Sequence, residues 1–400
     1  MVDLFAGLRT VHLASKGTGI DVVLSYAAKK CQFANDLAAK NEIKEQLMDD
    51  VKKMDKHWAK RFVDEAIAAK AELIILIGGF PCKGLSKARG EDRENLENKD
   101  SNLFFDLLRV LQVLRAANSG NISIAFVVEN VLMDEQPLDL ISSKLGCRPV
   151  LIGATPTCGA RRDRLFWCNF PIEAGQGETL TKDKKTNTLL MKKDPTRSDF
   201  WDAGWGPAPN FQGYLPTLQG WRSWTSQPKD PRGITKRSSE AKARWKADKW
   251  SSAITFYEDY NMAHNTGTPD APEQRRHISP TEAERLLCFP YDWTRPSDSG
   301  ILGDRLDSQH VANLRRNAVG NAFAVPVIRR ILMGLCVAVQ SKTVTGTGLW
   351  QDRSLAAPFH PDVLDDILPQ AQCLAEAFLD LTADFDNYLP PRLAREASRP

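Results

Sequence analysis

The first half of the chain alternates short continuous apolar runs with stretches in which apolar residues recur at helical spacing. The short runs predict a strand end that turns into a glycine loop at residues 3–7, and three further strands at residues 20–27, 73–77 and 122–128. Between the last two runs, leucines and phenylalanines recur at helical spacing behind Ser101, which is predicted to cap a crossover helix. Strands that alternate with helices are typical of α/β proteins, so we predict a doubly wound, mostly parallel sheet.

Three of these predicted strands are followed by residues suited to a functional site. Gly7 follows the first strand, the loop Gly78-Gly79-Phe80-Pro81-Cys82 follows the third, and Glu129 follows the fourth. Ligands of open α/β sheets bind outside the carboxyl ends of the strands. We therefore expect Gly7, Cys82 and Glu129 to face one shared crevice.

The composition of the chain changes in its second half. Residues 172–274 are rich in proline, glycine and tryptophan and have few regular periods, which indicates a smaller, loop-rich module. Helical patterning returns at Ser279 to Leu287 and again from Arg315 onward, and we assign residues 275–335 to the same domain as residues 1–171. Ser279 and Glu282 predict a capping box at the start of the first of these helices, with a pairing of Glu284 with Arg285 inside it. Residues 336–400 are predicted to form an acidic, helical C-terminal extension.

The distribution of charge is more informative than its sum. A net charge of +3 is too small to indicate a polyanionic partner by itself. Residues 231–250 carry seven basic and two acidic residues, which favours contact with phosphate groups. Residues 361–390 carry seven acidic residues and no lysine or arginine, which leaves a protein partner open for the acidic extension.

Cysteine usage and the length of the apolar runs restrict the class of protein. The eight cysteines include no Cys-x-x-Cys pair, so we expect neither a zinc ribbon nor a disulfide framework, and we predict no metal. The apolar runs are far shorter than the roughly 20 residues of a membrane helix, so no membrane association is expected. These features favour a soluble protein in a reducing compartment.

Cys82 is the strongest candidate for chemistry. Pro81 lacks a backbone donor and stiffens the turn that presents the thiol. The thiolate is the attacking form, and a free thiol with a pKa of about 8.5 is mostly protonated at neutral pH, so we expect help from nearby cations, with Arg162 and Arg164 as candidates. For an isolated cysteine, the alternative is a small buried hydrophobic residue without a chemical role.

Glu129 ends an apolar strand, where an ionised carboxylate is costly unless it is paired or protonated. We expect desolvation to raise its pKa, so that a protonated carboxyl can donate a hydrogen bond to an acceptor on a ring. The alternative is a carboxylate that is satisfied by local backbone donors.

Six motifs, read in order, resemble the DNA (cytosine-5) methyltransferases. Between Asp3 and about Ile331 they are Asp3-Leu4-Phe5-Ala6-Gly7, Gly79-Phe80-Pro81-Cys82 with Ser86, Glu129-Asn130-Val131, Arg162-Asp163-Arg164, Arg276 to Pro290, and Gly320-Asn321-Ala322. Each pattern is weak alone, but their common order is highly specific. Ala160 and Asn102-Leu103-Phe104-Phe105 look locally closest to the eukaryotic de novo branch of the family.

The resemblance implies a Rossmann-like, S-adenosylmethionine-dependent methyltransferase domain, with residues 172–274 as its target-recognition region. It implies transfer of a methyl group from S-adenosylmethionine to C5 of a cytosine that is flipped out of double-stranded DNA. Cys82 would form a covalent adduct at C6 while Glu129 binds the N3 edge of the base. Arg162 and Arg164 would hold the base and its phosphate.

The resemblance also assigns binding residues. Those expected to contact the methyl donor are Phe5, Gly7, Asp50, Pro81 and Asn321. Those expected to contact DNA are Ser86, Asn130, Arg232, Lys236 and Arg237.

Two positions near the donor loop depart from the family's pattern. Gly7 is followed by Leu8-Arg9-Thr10-Val11, where the family usually has another small residue. Lys29 stands where an acidic residue usually accepts the ribose hydroxyls, and lysine cannot accept a hydrogen bond. Both changes bear on donor affinity. Only Met1 and Val2 precede the loop motif, so we also interpret the sequence as a fragment that lacks an upstream region.

Other functions stay open at this stage. An RNA cytosine-5 methyltransferase would use the same Cys82 and Glu129, although the long 172–274 region favours duplex DNA. A catalytically impaired homologue that acts as a DNA-binding or regulatory partner is motivated by Val11 and Lys29. A thiol-dependent enzyme of another kind would require all six motifs to be coincidental. We expect a nuclear location in a eukaryote and a cytoplasmic one otherwise.

Overall fold

A large mixed sheet organises the chain. The computed structural model describes residues 1–28, 31–86, 94–119, 122–158, 160, 162–192, 205–206, 262–265, 275–297 and 308–340. Within these residues the sheet contains β1 (Val2–Leu4), β2 (Tyr26–Ala28), β3 (Gln46–Met48), β4 (Leu73–Gly79), β5 (Ser123–Val131), β6 (Pro149–Gly153), β7 (Asp163–Cys168), β8 (Thr179–Thr181) and β9 (Asn187–Leu190). Their order is β3-β2-β1-β4-β5-β7-β6-β9-β8. The strands from β1 to β5 are parallel, whereas β7 runs antiparallel to both of its neighbours.

Helices cover both faces of this sheet. They are α1 (Thr10–Ser15), α2 (Gln32–Lys40), α3 (Lys56–Ala68), α4 (Leu103–Asn118), α5 (Glu135–Leu145), α6 (Pro280–Leu286), α7 (Gln309–Asn321) and α8 (Val325–Gln340). Ile75 and Ile77 of β4 point into a core that also holds Val11 of α1 and Ile328 of α8. A second packing layer joins α3 to α4. The predicted doubly wound, mostly parallel α/β sheet is confirmed.

The strands that form continuous apolar runs were the easiest to predict. β4 and β5 occupy the predicted positions and extend slightly further, to Gly79 and Val131. The strand predicted at residues 20–27 is wrong for most of its length, because only Tyr26–Ala28 pairs with β1. Val23 is 54% exposed, so the apolar residues before Tyr26 lie outside the buried sheet.

The predicted helix cap at Ser101 is wrong. Helix α4 begins at Leu103, and its N-cap residue, Asn102, makes no side-chain cap. The buried Ser101 hydroxyl instead accepts a hydrogen bond from the backbone N–H of Gly84, at 2.9 Å. Ser101 therefore anchors the loop that follows β4.

A second, smaller sheet lies beyond residue 200. In the described part of this region, β10 (Trp205–Gly206), β11 (Met262–Asn265) and β12 (Arg275–His277) pair antiparallel in that order. By contrast, β8 and β9, which also follow residue 171, pair at the edge of the large sheet. The predicted boundaries at residues 171, 274 and 335 stay predictions.

A buried polar network joins α6 to α7. The predicted capping box is confirmed, since Ser279 and Glu282 bond each other's backbone N–H at the start of α6. The predicted pairing of Glu284 with Arg285 is wrong: the fully buried Glu284 carboxylate pairs with Arg315 of α7, 3.1 Å away. It also accepts a hydrogen bond from the backbone N–H of Thr294, at 2.8 Å.

Helix α8 is strongly apolar and follows directly on α7. By length and composition alone, the stretch Gln309–Val339 could cross a membrane. Half of its most apolar window is buried inside the fold, and α8 packs on α1. Such packing is that of a core helix.

The Glu284 network predicts a large loss of stability in Arg315→Ala. Removing the guanidinium leaves a buried carboxylate without its ionic partner, so we expect the free energy of unfolding to fall by about 3 kcal/mol. Urea unfolding followed by circular dichroism measures the change. Lys185→Ala, which removes an exposed ion pair with Asp139, is the matched control and should leave the midpoint almost unchanged. Equal midpoints for the two variants would show that the network does not stabilise the fold.

Candidate active site

The pairing of β4 with β5 brings the predicted nucleophile and acid to one edge of the sheet. Gly79, the last residue of β4, lies opposite Glu129 in the parallel register. Cys82 follows three residues later in the loop that leaves β4. Because both strands end at the same edge, the loop carrying Cys82 begins beside Glu129.

Two side chains anchor the Cys82 loop to the rest of the domain. The buried Asn130 amide donates a hydrogen bond to the Phe80 carbonyl, at 3.0 Å, which ties the loop to β5. Ser101 holds Gly84 from the other side of the turn. Within the turn, the Cys82 carbonyl accepts from the N–H of Ser86, at 2.9 Å. Asn130 and Ser86, which were predicted to contact DNA, thus also shape the loop.

A close approach explains why β4 ends in glycine. A β carbon on Gly79 would lie 2.7 Å from the Phe323 ring and 2.8 Å from Glu129 Oε2. Both distances are shorter than a carbon atom tolerates, so a larger residue would displace the ring or the carboxyl. Gly79 allows Glu129 to lie directly beside the loop.

Glu129 is buried and paired. Its Oε1 lies 3.0 Å from Arg164 Nε, and only 8% of the residue is exposed. Burial raises the pKa of Glu129, against the opposing charges of Arg164 and Arg162. The expected effect of desolvation is therefore present, and the carboxylate is held by an arginine rather than by local backbone donors alone.

Cys82 is half-buried, and its surroundings shift the pKa of its thiol in opposite directions. Burial raises the pKa of Cys82, and so does the nearby Glu129 carboxylate. Arg164 and Arg162 lower it, as the sequence suggested, but they do not outweigh burial. The thiol of the substrate-free protein is consequently a weaker acid than an exposed cysteine.

Arg162 connects this edge to the end of α7. Its Nη1 donates to the Gly320 carbonyl at 3.0 Å, one residue before Asn321. Burial, together with the charge of Arg164, lowers the pKa of Arg162 to about 9. Among the described residues, none accepts a hydrogen bond from its buried Nε.

A small cavity opens beside these charged groups. Its polar side is formed by Glu129, Arg162 and Arg164, and its apolar side by Ile152, Phe166, Phe323, Ala324 and Val327. One carboxyl, two guanidinium groups and a buried donor without a partner suit a small planar ring that presents both acceptors and donors. Sequence reasoning missed Phe323, which only the tertiary fold brings over Gly79.

Four of the five residues predicted to hold the donor follow parallel strands at one edge of the sheet, and the fifth, Asn321, ends α7. Phe5 leaves β1 with a left-handed backbone (φ 59°), and β1 is adjacent to β4, which leads to Pro81. Asp50 follows β3, where its carboxylate accepts from the N–H of Lys52 at 3.0 Å. Asn321 ends α7, next to the contact between Gly320 and Arg162.

Of the two positions that depart from the family's pattern, the structure describes Val11 but not Lys29. Val11 is completely buried and forms part of the core. Lys29 lies outside the described residues, and so do the predicted DNA contacts Arg232, Lys236 and Arg237. Their roles stay predictions.

Comparison with known proteins matches the first third of the chain to a family. Residues 1–133 match the family described as C-5 cytosine-specific DNA methylase. The matched segment contains the Phe5 loop, the Cys82 loop and Glu129. The family resemblance inferred from the motifs is confirmed over these residues.

One solved structure shows a similar fold at low sequence identity, and two others align with lower scores. A DNMT2 variant from Spodoptera frugiperda has a TM-score of 0.50 and 15% identity, over 84% of this chain and 98% of that one. The methyltransferase EhMeth of Entamoeba histolytica has a TM-score of 0.44 and 10% identity over 84% and 98%. Dnmt2 of S. pombe has a TM-score of 0.40 and 14% identity over 86% and 98%. The assignment to the eukaryotic de novo branch stays a prediction.

The charges around Cys82 predict that Glu129→Gln speeds alkylation of the thiol and slows catalysis. Glu129→Gln removes a carboxylate that raises the pKa of Cys82 and leaves both arginines in place. The thiolate forms above the thiol pKa, so lowering that pKa moves alkylation of Cys82 to lower pH. We expect Glu129→Gln to react faster with iodoacetamide at neutral pH, even though it should lose catalytic activity.

The rate is measured across pH by mass spectrometry of the peptide that contains Cys82. The exposed Cys31 provides an internal control whose rate should not change. Slower alkylation of Cys82 in Glu129→Gln would mean that the carboxylate does not oppose thiolate formation.

Proposed function

We propose that this chain transfers a methyl group from S-adenosylmethionine to C5 of a cytosine flipped out of double-stranded DNA. The observation that carries this proposal is the placement of Glu129 and the Cys82 loop at the ends of paired strands, with Arg164 3.0 Å from the carboxyl. The family match over residues 1–133 supports cytosine C5 as the methylated position. The family's description supports DNA as the substrate.

The turn after β1 is compatible with a bound methyl donor. A β carbon on Gly7 would meet no heavy atom within 4 Å, so the backbone borders open space there. Phe5 and Gly7 would line this donor site, with Pro81 from the next strand and Asn321 from α7. Asp50 would receive the adenine amine. When bound, S-adenosylmethionine supplies an electrophilic methyl group.

Cys82 and Glu129 have complementary tasks in the proposed reaction. The Cys82 thiolate forms a bond to C6 of cytosine, while the protonated Glu129 carboxyl donates to N3 and draws electrons toward that edge. C5 gains electron density and accepts the methyl group. Loss of the C5 proton then restores the double bond and breaks the bond between Cys82 and C6.

The acid and the nucleophile are also coupled electrostatically. The ionised Glu129 carboxylate raises the pKa of Cys82, whereas a neutral carboxyl does not. When Glu129 carries its proton to face the base, the charges of Arg162 and Arg164 act on Cys82 with less opposition. The same protonation therefore favours base recognition and thiolate formation.

Arg162 and Arg164 are placed to bind the substrate directly. Both line the cavity beside Glu129, and the buried Arg162 Nε can donate to an acceptor on the incoming nucleotide. The basic stretch 231–250 supplies phosphate contacts in this proposal, which recover part of the free energy of unstacking the base. A protein partner for residues 336–400 and a nuclear location in a eukaryote belong to the same proposal.

Methyl transfer from isotope-labelled donor tests the proposed function. Wild-type protein should label C5 of cytosine in duplex DNA, and Cys82→Ser should reduce labelling to background. Glu129→Gln should lower the rate by roughly 10²- to 10⁴-fold, which is the usual contribution of a positioned acid. The reaction is run in parallel with RNA of the same sequence.

The controls separate the alternatives. Circular dichroism and calorimetric binding of S-adenosylhomocysteine establish that each variant is folded and binds the donor product. Labelling of RNA alone would contradict the DNA substrate. Full activity of Cys82→Ser would contradict the nucleophile, and no labelling by wild-type protein would favour a catalytically impaired homologue.

A further inference from the structure

Three consecutive carbonyls of the turn after β1 are bonded to buried side chains. Arg9 Nη1 donates to the carbonyls of Ala6 and of Gly7, the latter at 3.1 Å. Trp293 Nε1 donates to the carbonyl of Leu8, at 3.0 Å. The carbonyls of Ala6, Gly7 and Leu8 are thus all bonded to side chains from the interior of the protein.

Arg9 is itself held on all sides. Only 1% of the residue is exposed, and its Nε lies 2.6 Å from Glu45 Oε1. Its Nη2 donates to Asn35 Oδ1, at 3.0 Å. Burying a guanidinium is unfavourable unless its donors are satisfied, and these contacts satisfy them with α2, with the residue before β3 and with the turn itself.

The side chain of Arg9 leaves the open side of the turn unobstructed. The space beside Gly7 is empty to 4 Å even though the large residue stands only two positions further on. Arg9 has a left-handed backbone (φ 54°) at the N-cap of α1, and its guanidinium lies among Glu45 and Asn35. Apart from its two chain neighbours, no residue therefore fills the space beside Gly7.

We propose that Arg9 is a positioning residue that holds the turn of residues 5–8 in the shape that receives the methyl donor. This inference rests on the proposed function, because it takes that turn to be the donor site. A preorganised turn binds its ligand more tightly, since the ordering of the backbone has been completed before binding. Where the family usually has another small residue after Gly7, this chain instead fixes the turn with hydrogen bonds from the Arg9 side chain.

Arg9→Met tests this role, because it keeps much of the side-chain volume and removes every donor. Calorimetry with S-adenosylhomocysteine is expected to show a Kd at least about tenfold higher than that of wild type, given the loss of several hydrogen bonds to a charged group. The KM for the donor should rise similarly, whereas the KM for DNA should stay unchanged. Arg9→Lys should not restore affinity, because an ammonium cannot reach all four acceptors in one geometry.

Arg330→Met is the matched control. Arg330 pairs with Glu178 at 2.7 Å on α8, so its loss also removes a partly buried ion pair. We expect it to change thermal stability without changing the Kd for S-adenosylhomocysteine. If Arg330→Met weakened binding as much as Arg9→Met, general destabilisation would explain both results and the inference would be overturned.

Two further outcomes are distinguishable. If Arg9→Met does not fold, Trp293→Phe replaces it, because this variant keeps an aromatic ring and removes only the bond to Leu8. A raised Kd supports the fixed turn, and an unchanged Kd in both Arg9→Lys and Trp293→Phe overturns it. Failure of wild-type protein to bind S-adenosylhomocysteine would instead refute the proposed function.

Discussion

The site depends on the parallel register that sets Gly79 of β4 opposite Glu129 of β5. This register places a carboxyl inside the protein, where an unpaired charge is unfavourable, and Arg164 pairs with it. It also begins the Cys82 loop at the same level of the sheet. A shift of the register by one residue would send Glu129 to the opposite face of the sheet and separate the acid from the thiol.

One carboxyl, two guanidinium groups and one thiol share this buried region, so their protonation states are linked. Burial raises the pKa values of both Cys82 and Glu129. The arginines act in the opposite direction on both groups. A base that accepts a hydrogen bond from the protonated Glu129 would stabilise the neutral carboxyl, which does not raise the pKa of Cys82 as the carboxylate does. In the proposed function, recognition of the ring is thereby linked to activation of the nucleophile.

Those features that depend on local sequence were predictable. The continuous apolar runs of β4 and β5 marked their strand ends, and these ends identified Cys82 and Glu129. The Ser279 capping box was equally readable, because all its contacts lie within four residues. The partners of Ser101, Glu284 and Arg9 were not predictable, since each contacts residues that are distant in sequence. Whether Arg9 obstructs or supports the turn depends on the direction of its side chain, which sequence spacing does not determine.

In the proposed reaction, the Cys82 sulfur forms a bond to a cytosine that Glu129 holds. A duplex oligonucleotide containing 5-fluorocytosine tests it most directly, because fluorine at C5 prevents the final elimination and preserves the covalent adduct. After incubation with S-adenosylmethionine, proteolysis and mass spectrometry identify the residue that is linked to the base. We predict a methylated adduct on the peptide that contains Cys82. An adduct on any other residue, or stable donor and duplex binding without an adduct, would contradict this account.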